Sequence, residues 1–228
     1  MFINVMGEIL MEIKRIIFDL DNTLIEWKEE YWNSINKTFE ELNLPYADCT
    51  ISKVKHAVDV YEDGRMETYN KELMQKTIEN ELGYKLPKEF MNIWLKYLGK
   101  CVPEKIDEKE TETLGYLKNK YDLVILSNWF AFSQNERLKN AGLYKFFTST
   151  YMTEGFPMKP NKEAFEIAKG EFELPECIMV GDNYRVDIQG AIKAGIKAIY
   201  INKSNKPIEK NSEIIATIKN LTELKKIL

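Results

Sequence analysis

The stretch KRIIFDLDNTL, residues 14–24, decides the reading of this chain. Its first half is a short apolar run rich in Ile and Phe, and its second half is acidic and turn-forming. A buried parallel strand has this profile, apolar throughout because both its faces are covered, with polar residues only where it emerges. The carboxyl end of this strand falls at Asp19.

From about residue 26 to residue 104 the period changes. In WKEEYWNSINKTFEELN (27–43) and METYNKELMQKTIENEL (66–82), apolar residues recur at intervals of three and four, the spacing of one helix face. Breaks at Pro45, Gly64, Gly83, Pro87 and Gly99 divide the block into about four helices. It reads as an all-helical insertion. Beyond residue 105 helical and strand-like segments alternate. Helical EKETETLGYLKNK (108–120) precedes YDLVILSN (121–128), and FSQNERLKNAG (132–142) precedes FFTSTYM (146–152). NKEAFEIAKGEF (161–172) then precedes CIMVGD (177–182), VDIQGAIKAG (186–195) precedes IKAIYIN (196–202), and the tail adds a strand IIATI and a helix LTELKKIL. Such alternation predicts right-handed βαβ units, hence an α/β fold: a Rossmann-like parallel sheet with helices on both faces and a helical domain inserted after its first strand.

Ligands of an open parallel sheet bind beyond the carboxyl ends of its strands, so the polar residues there carry the chemistry. They are Asp19 and Asp21 after the first strand, Ser127 and Asn128 after the second, Lys159 in the loop after the third, and Asp182 and Asn183 after the fourth. This set can hold a divalent cation and a phosphate together, and all-oxygen donors point to magnesium. Asp19 and Asp21 are two apart, so both can face one pocket while Leu20 faces the core. One carboxylate can attack phosphorus while the other moves a proton, giving hydrolysis through an aspartyl phosphate. The catalytic candidates are therefore Asp19, Asp21, Ser127 and Lys159. Lys159 would neutralise crowded carboxylates and charge on the phosphoryl oxygens. Leu20, Asn22, Thr23 and Asn128 are the candidate substrate-binding positions, the backbone N–H groups just after Asp19 forming an anion nest with Thr23. Asp19, Asp21 and Asp182 are the candidate metal ligands, supported by Asn183 and Asp187.

Composition removes other classes. The 228 residues carry 32 Lys+Arg against 36 Asp+Glu, a net charge of -4 with no cation excess for nucleic acid. No run approaches the roughly 18 to 20 apolar residues of a spanning helix, and the start MFINVMGEILMEIK lacks the basic region and cleavage site of a signal peptide, which predicts a cytoplasmic protein without membrane partners. Cys49, Cys101 and Cys177 are too scattered for a disulfide framework or zinc site and are expected to be buried free thiols. The single histidine, His56, is expected at a surface, so triad chemistry is excluded as the default. Trp27, Tyr31, Trp32, Tyr61, Tyr69, Trp94 and Tyr97 recur at helical spacing and read as core rather than pocket. Lys53 and Arg65 read as solvated.

Taken in order, these segments resemble the four motifs of the haloacid dehalogenase superfamily. Asp19-Leu20-Asp21-Asn22-Thr23-Leu24 matches the first, Leu126-Ser127-Asn128 the second, Lys159-Pro160-Asn161 the third, and Gly181-Asp182-Asn183 with Asp187 and Gly190-Ala191 the fourth. The resemblance spans about residues 14–25 and 105–205. It implies Asp19 as nucleophile, Asp21 as general acid/base, and magnesium held by Asp19, Asp182 and the Asp21 backbone carbonyl. It implies too that residues 1–25 and 105–228 form the catalytic core and 26–104 a C1-type cap, hinged near residues 25–28 and 100–106. The expected activity is a magnesium-dependent phosphatase acting on a small phosphorylated metabolite, as a monomer or homodimer. A haloacid dehalogenase generally lacks the second aspartate of the first motif, which here is Asp21. A phosphomutase and a non-catalytic binding module are the remaining alternatives; an inserted helical domain is more than a receiver-like module needs.

Overall fold

The computed structural model describes residues 12–63 and 67–228, together with the backbone at 2–3 and 9–10. Strands β1 (Phe2–Ile3) and β2 (Ile9–Leu10) pair antiparallel, apart from the main sheet. That sheet has six parallel strands: β3 (Arg15–Phe18), β4 (Asp122–Ser127), β5 (Ser149–Met152), β6 (Cys177–Gly181), β7 (Lys197–Ile201) and β8 (Ile214–Ile218). Their spatial order is β5-β4-β3-β6-β7-β8. The chain runs outward from β3 to β5 on one side, then returns to β6 and runs outward on the other. The strand order thus reverses between β3 and β6, and this reversal opens a crevice at their carboxyl ends.

Successive side chains of a strand point to opposite faces, and the core divides accordingly. Ile16, Phe18, Leu123, Ile125, Ile178, Val180, Ile199 and Ile201 pack on one face with Leu114 and Leu117 of α5 (Glu108–Lys118), Leu138 of α6 (Ala131–Asn140), and Leu221 and Leu224 of the tail. Ile17, Val124, Leu126, Cys177, Met179, Ala198 and Tyr200 pack on the other with Ala164 and Phe165 of α7 (Lys162–Ala168) and Ala191 and Ala194 of α8 (Gln189–Ala194). This is the Rossmann-like α/β fold read from the alternation. Two segments depart from that reading. The tail 221–226 is a 3₁₀ helix, and residues 184–188 form a π turn ahead of α8.

Among the described residues between β3 and α5 there are four α-helices, α1 (Asn33–Glu41), α2 (Thr50–Asp63), α3 (Lys71–Leu82) and α4 (Phe90–Leu98), preceded by a 3₁₀ turn at Glu29–Trp32. Val54, Ala57, Val58 and Tyr61 place an apolar stripe of α2 inward. α3 stops at Gly83, whose φ of 84° is the left-handed conformation that ends helices. These helices build a separate apolar cluster around Ile35, Phe39, Phe90, Trp94 and Leu95, and Phe130 from the sheet side completes it. No helix among the described residues is long and apolar enough to cross a membrane.

Several smaller expectations need correction. All three cysteines are free, yet only Cys177 is buried; Cys49 is exposed, because it precedes α2 and lies off its inward stripe. Tyr31, Tyr61, Tyr69 and Trp94 are core residues, but Trp27 and Trp32 are half-buried and line an open recess. His56 and Lys53 are exposed, as expected, and Arg65 lies outside the described residues.

Ile17, fully buried in the central strand, and Ile215, 44% exposed on the edge strand, offer a direct contrast. Ile17→Ala is expected to cost about 2–5 kcal/mol in urea unfolding, whereas Ile215→Ala is expected to stay within about 0.5 kcal/mol.

Candidate active site

The β3 and β6 carboxyl ends place Asp19 and Asp182 on opposite sides of the crevice. Asp19 is 8% exposed, and its backbone N–H donates to Val180 O at 3.0 Å, which fixes the two strand ends together. Lys159, 2% exposed, reaches in from the loop after β5. Its Nζ donates to Asp19 Oδ1 and to Asp187 Oδ1, each at 2.7 Å. The lysine is held from behind by Asn128, whose Nδ2 donates to Lys159 O at 2.8 Å and whose Oδ1 accepts from Lys159 N–H at 2.9 Å.

Asp187 is 1% exposed and both its oxygens are engaged, since Oδ2 accepts from Asn183 N–H at 2.9 Å. Gly181 makes room for it: a Cβ there would lie 2.5–2.6 Å from the Asp187 side chain. Asn183 caps the π turn by accepting from Val186 N–H at 3.0 Å, and so sets the turn that carries Asp187 inward.

Asp19, Asp182 and Asp187 bring carboxylate oxygens within 4.8 Å of one another. Three carboxylates against one ammonium leave this buried cluster with excess negative charge. That excess opposes ionisation of Asp19 and Asp182. Burial pushes Asp19 up to about 8, Lys159 pulls against it, and Asp187 and Asp182 push further upward. Burial and the neighbouring Asp187 push Asp182 up to about 6. Lys159 is raised, because its two carboxylates outweigh the cost of burying its charge. An all-oxygen cluster with unneutralised charge fits a hard divalent cation.

Asp21 is held apart from this cluster. Its Oδ2 accepts from Gln134 Nε2 at 2.7 Å, and its Oδ1 is ion-paired with Arg137 Nη1. Gln134 also donates to Ser127 Oγ at 3.0 Å, which ties the second-strand serine to the second aspartate. Arg137 is fully buried on α6. Its Nε donates to Cys101 O at 3.0 Å, and its guanidinium lies 5.3 Å from the Trp27 ring centre and 5.7 Å from that of Tyr31. One side chain thereby touches Asp21 and both segments joining the helical block to the sheet.

Of the remaining candidates, Leu20 buries its side chain in the core. Thr23 is 4% exposed and turns its hydroxyl toward Asp182 Oδ1 at 3.5 Å. Asn22 has a φ of 61°, which asparagine tolerates, and its Oδ1 accepts from Trp27 N–H at 3.0 Å. A cavity of about 380 Å³ is lined by Asp19, Asp21, Asn22, Ser127, Asn128, Lys159, Asp182, Asn183 and Asp187, with Glu62, Asp63 and Tyr69 from the helical block on its far side.

Residues 13–195 match the family profile described as haloacid dehalogenase-like hydrolase. The chain belongs to the haloacid dehalogenase-like hydrolases. Within that family it is 26% identical over 229 residues to the HAD-hydrolase YfnB of Bacillus subtilis (strain 168), covering 94% of this chain and 95% of that one. It is 36% identical over 128 residues to the glyceraldehyde 3-phosphate phosphatase of Methanothermobacter thermautotrophicus, covering 52% of this chain and 56% of the relative. The crystal structure of magnesium-bound YfnB superposes with a TM-score of 0.69 at 24% identity, covering 95% of this chain and 99% of that one. A 2-haloacid dehalogenase from Pseudomonas syringae pv. Tomato DC3000 shares the fold, with a TM-score of 0.70 at 22% identity over 94% and 97% of the two chains.

The sequence reading of this family member missed Gln134, Arg137 and Glu62. A signal for the first two existed. Phe130, Gln134, Arg137 and Leu138 recur at helical spacing, so two polar residues stand on the buried stripe of α6. Glu62 carried none, because it sits on the solvent-facing side of an ordinary amphipathic pattern.

A double-mutant cycle with Arg137→Met and Asp21→Asn checks the pairing. Urea unfolding of the four proteins is expected to give a coupling of about 0.5–3 kcal/mol; additive effects would show that the ion pair contributes nothing.

Proposed function

We propose that this hydrolase is a magnesium-dependent phosphatase acting on a small phosphate monoester through an aspartyl phosphate on Asp19. The observation that carries the reading is Lys159 Nζ lying between Asp19 and Asp187 at 2.7 Å from each, beside Asp182. That arrangement gives a carboxylate nucleophile a fixed position and supplies positive charge where phosphoryl oxygens gather. Relatives named as phosphatases of glyceraldehyde 3-phosphate, N-acylneuraminate 9-phosphate and phosphoglycolate agree with it.

In this reading Asp19 attacks phosphorus as the ester oxygen departs, and Asp21 gives that oxygen its proton. Asp21 then takes a proton from water as the water attacks the aspartyl phosphate, releasing phosphate and restoring the Asp19 carboxylate. Ser127 donates a hydrogen bond to the phosphoryl group, and the backbone N–H groups of Leu20 and Asp21 complete the cradle with Thr23, the Asn22 N–H being taken by Ile25 O at 2.7 Å. Asn128 acts through Lys159, whose backbone it holds at both ends. Magnesium would be held by the Asp19 and Asp182 carboxylates and the Asp21 backbone carbonyl, with Asp187 and Asn183 orienting that set. When bound, it supplies positive charge that offsets the crowded carboxylates and the phosphoryl oxygens. Asp187 has both oxygens engaged by protein donors, which suits orientation better than ligation.

Residues 26–104 act as the cap over a catalytic core of 1–25 and 105–228, and Glu62, Asp63 and Tyr69 are its contribution to the cavity wall. Dehalogenases share the fold, but displacement of halide from carbon leaves no alkoxide to protonate. Asp21 supplies a carboxyl beside Asp19 that can move that proton, which favours the ester reaction.

The test is phosphate release from a panel of small monoesters, including an activated aryl phosphate. Multiple turnovers with magnesium are expected, falling by at least about 100-fold in EDTA or in Asp19→Asn, on the scale of losing a main catalytic element. Turnover that survives in Asp19→Asn would sink the assignment. Metal-independent release of halide from a haloacid, with every ester inert, would install the dehalogenase reading instead.

A further inference from the structure

A second recess of about 220 Å³ adjoins the catalytic cavity and is lined by Trp27, Trp32, Trp129, Val58, Asp59 and Glu62. Asp21, Asn22, Asn128 and Glu62 border both spaces, whereas Asp19, Lys159 and Asp182 border only the first. If Asp19 attacks phosphorus and Asp21 protonates the departing oxygen, that oxygen lies toward Asp21, and the group it carries extends past Asp21 into this recess. The inference rests on that reading of the two aspartates.

The walls have a definite chemistry. Three indoles give flat apolar surface, and the Trp27 and Trp32 rings stand nearly perpendicular with centres 5.9 Å apart. The titratable lining is all acidic: Asp21, Asp59 and Glu62. Among the described residues, no lysine or arginine lines the recess. Of the cations beside these rings, Arg137 pairs with Asp21 through Nη1 and Lys55 with Glu29. The Trp129 Nε1–H is shut from solvent and finds no acceptor among the described residues.

We propose that this indole-walled, acid-lined recess beside Asp21 is the leaving-group subsite, and that it selects phosphomonoesters whose alcohol presents a flat ring with hydrogen-bond donors, hydroxyl or amine, and no anionic group. The ring gains contact with the indoles, and its donors meet Asp59 and Glu62. A carboxylate or second phosphate would instead face like charge, with no cation among the described lining residues to receive it. Glu62 is the main determinant. It stays open to the recess and accepts from Tyr69 Oη at 2.6 Å through Oε1. Packing around it, together with Asp59 and Asp63, pushes its carboxyl above the usual range against the lowering effect of the Tyr69 hydroxyl.

Three esters sharing one ring separate the outcomes: phenyl, 4-(aminomethyl)phenyl and 4-carboxyphenyl phosphate. In the unaltered protein kcat/KM is expected to be highest for the aminomethyl ester and lowest for the carboxy ester, a spread of roughly 10- to 100-fold. Glu62→Gln and Asp59→Asn are each expected to narrow the spread, and Glu62→Lys to favour the carboxy ester. A carboxy ester hydrolysed as well as the aminomethyl ester, or a spread that neither neutral variant changes, overturns the proposal. Inertness of all three esters would count against the phosphatase reading itself. Binding then decides the recess independently, through quenching of tryptophan fluorescence by benzylamine and by benzoate. Tighter benzylamine supports the subsite; tighter benzoate, or no response to either, overturns it.

Discussion

The ammonium of Lys159 is the constraint on which the site depends. It is buried between Asp19 and Asp187, and a buried charge survives only when it is paired and hydrogen-bonded. That requirement reaches outward through the fold. Asn128 fixes the lysine's backbone from the end of β4, Gly181 leaves the space Asp187 occupies, and the Asn183-capped turn delivers Asp187 from β6. Three strand ends are thus tied to one residue, Lys159. The same packing leaves the carboxylates in excess, a charge that a bound cation would offset.

Asp21 belongs to a second, separate network. Its oxygens are held by Gln134 and Arg137 of α6, on the other side of β3's carboxyl end from Lys159. The separation matters chemically, since two carboxylates only two residues apart have been given different partners and can take different roles. Arg137 also meets Cys101, Trp27 and Tyr31, the segments through which the helical block leaves and rejoins the sheet. The position of that block and the placement of Asp21 are therefore mechanically joined through one guanidinium.

Much of this was legible beforehand, for identifiable reasons. A buried parallel strand must be apolar on both faces, so IIF, LVIL and IMV announced the sheet, and the polar residues ending those runs announced the crevice. Asp19, Asp21, Ser127, Asn128, Lys159 and Asp182 all do line one cavity. What escaped were partners defined by the third dimension. Arg137 sits 116 residues from Asp21 in the chain, and although the helical spacing of FSQNERLKNAG puts it on the buried stripe, nothing local says which partner it meets there. Trp27 and Trp32 were read as core because helical spacing gives the direction of a side chain, not whether another element arrives to cover it. The π turn at 184–188 was hidden for a similar reason: its geometry follows from the need to seat Asp187, not from local propensity.

The central claim is that Asp19 carries the phosphoryl group. Rapid acid quenching during turnover of an aryl phosphate, followed by proteolysis and peptide mass spectrometry, reads this directly. The account expects the phosphoryl group on the peptide containing Asp19 and on no other. A phosphoryl group found on any other residue, or turnover that leaves Asp19 unmodified at every quench time, would contradict it.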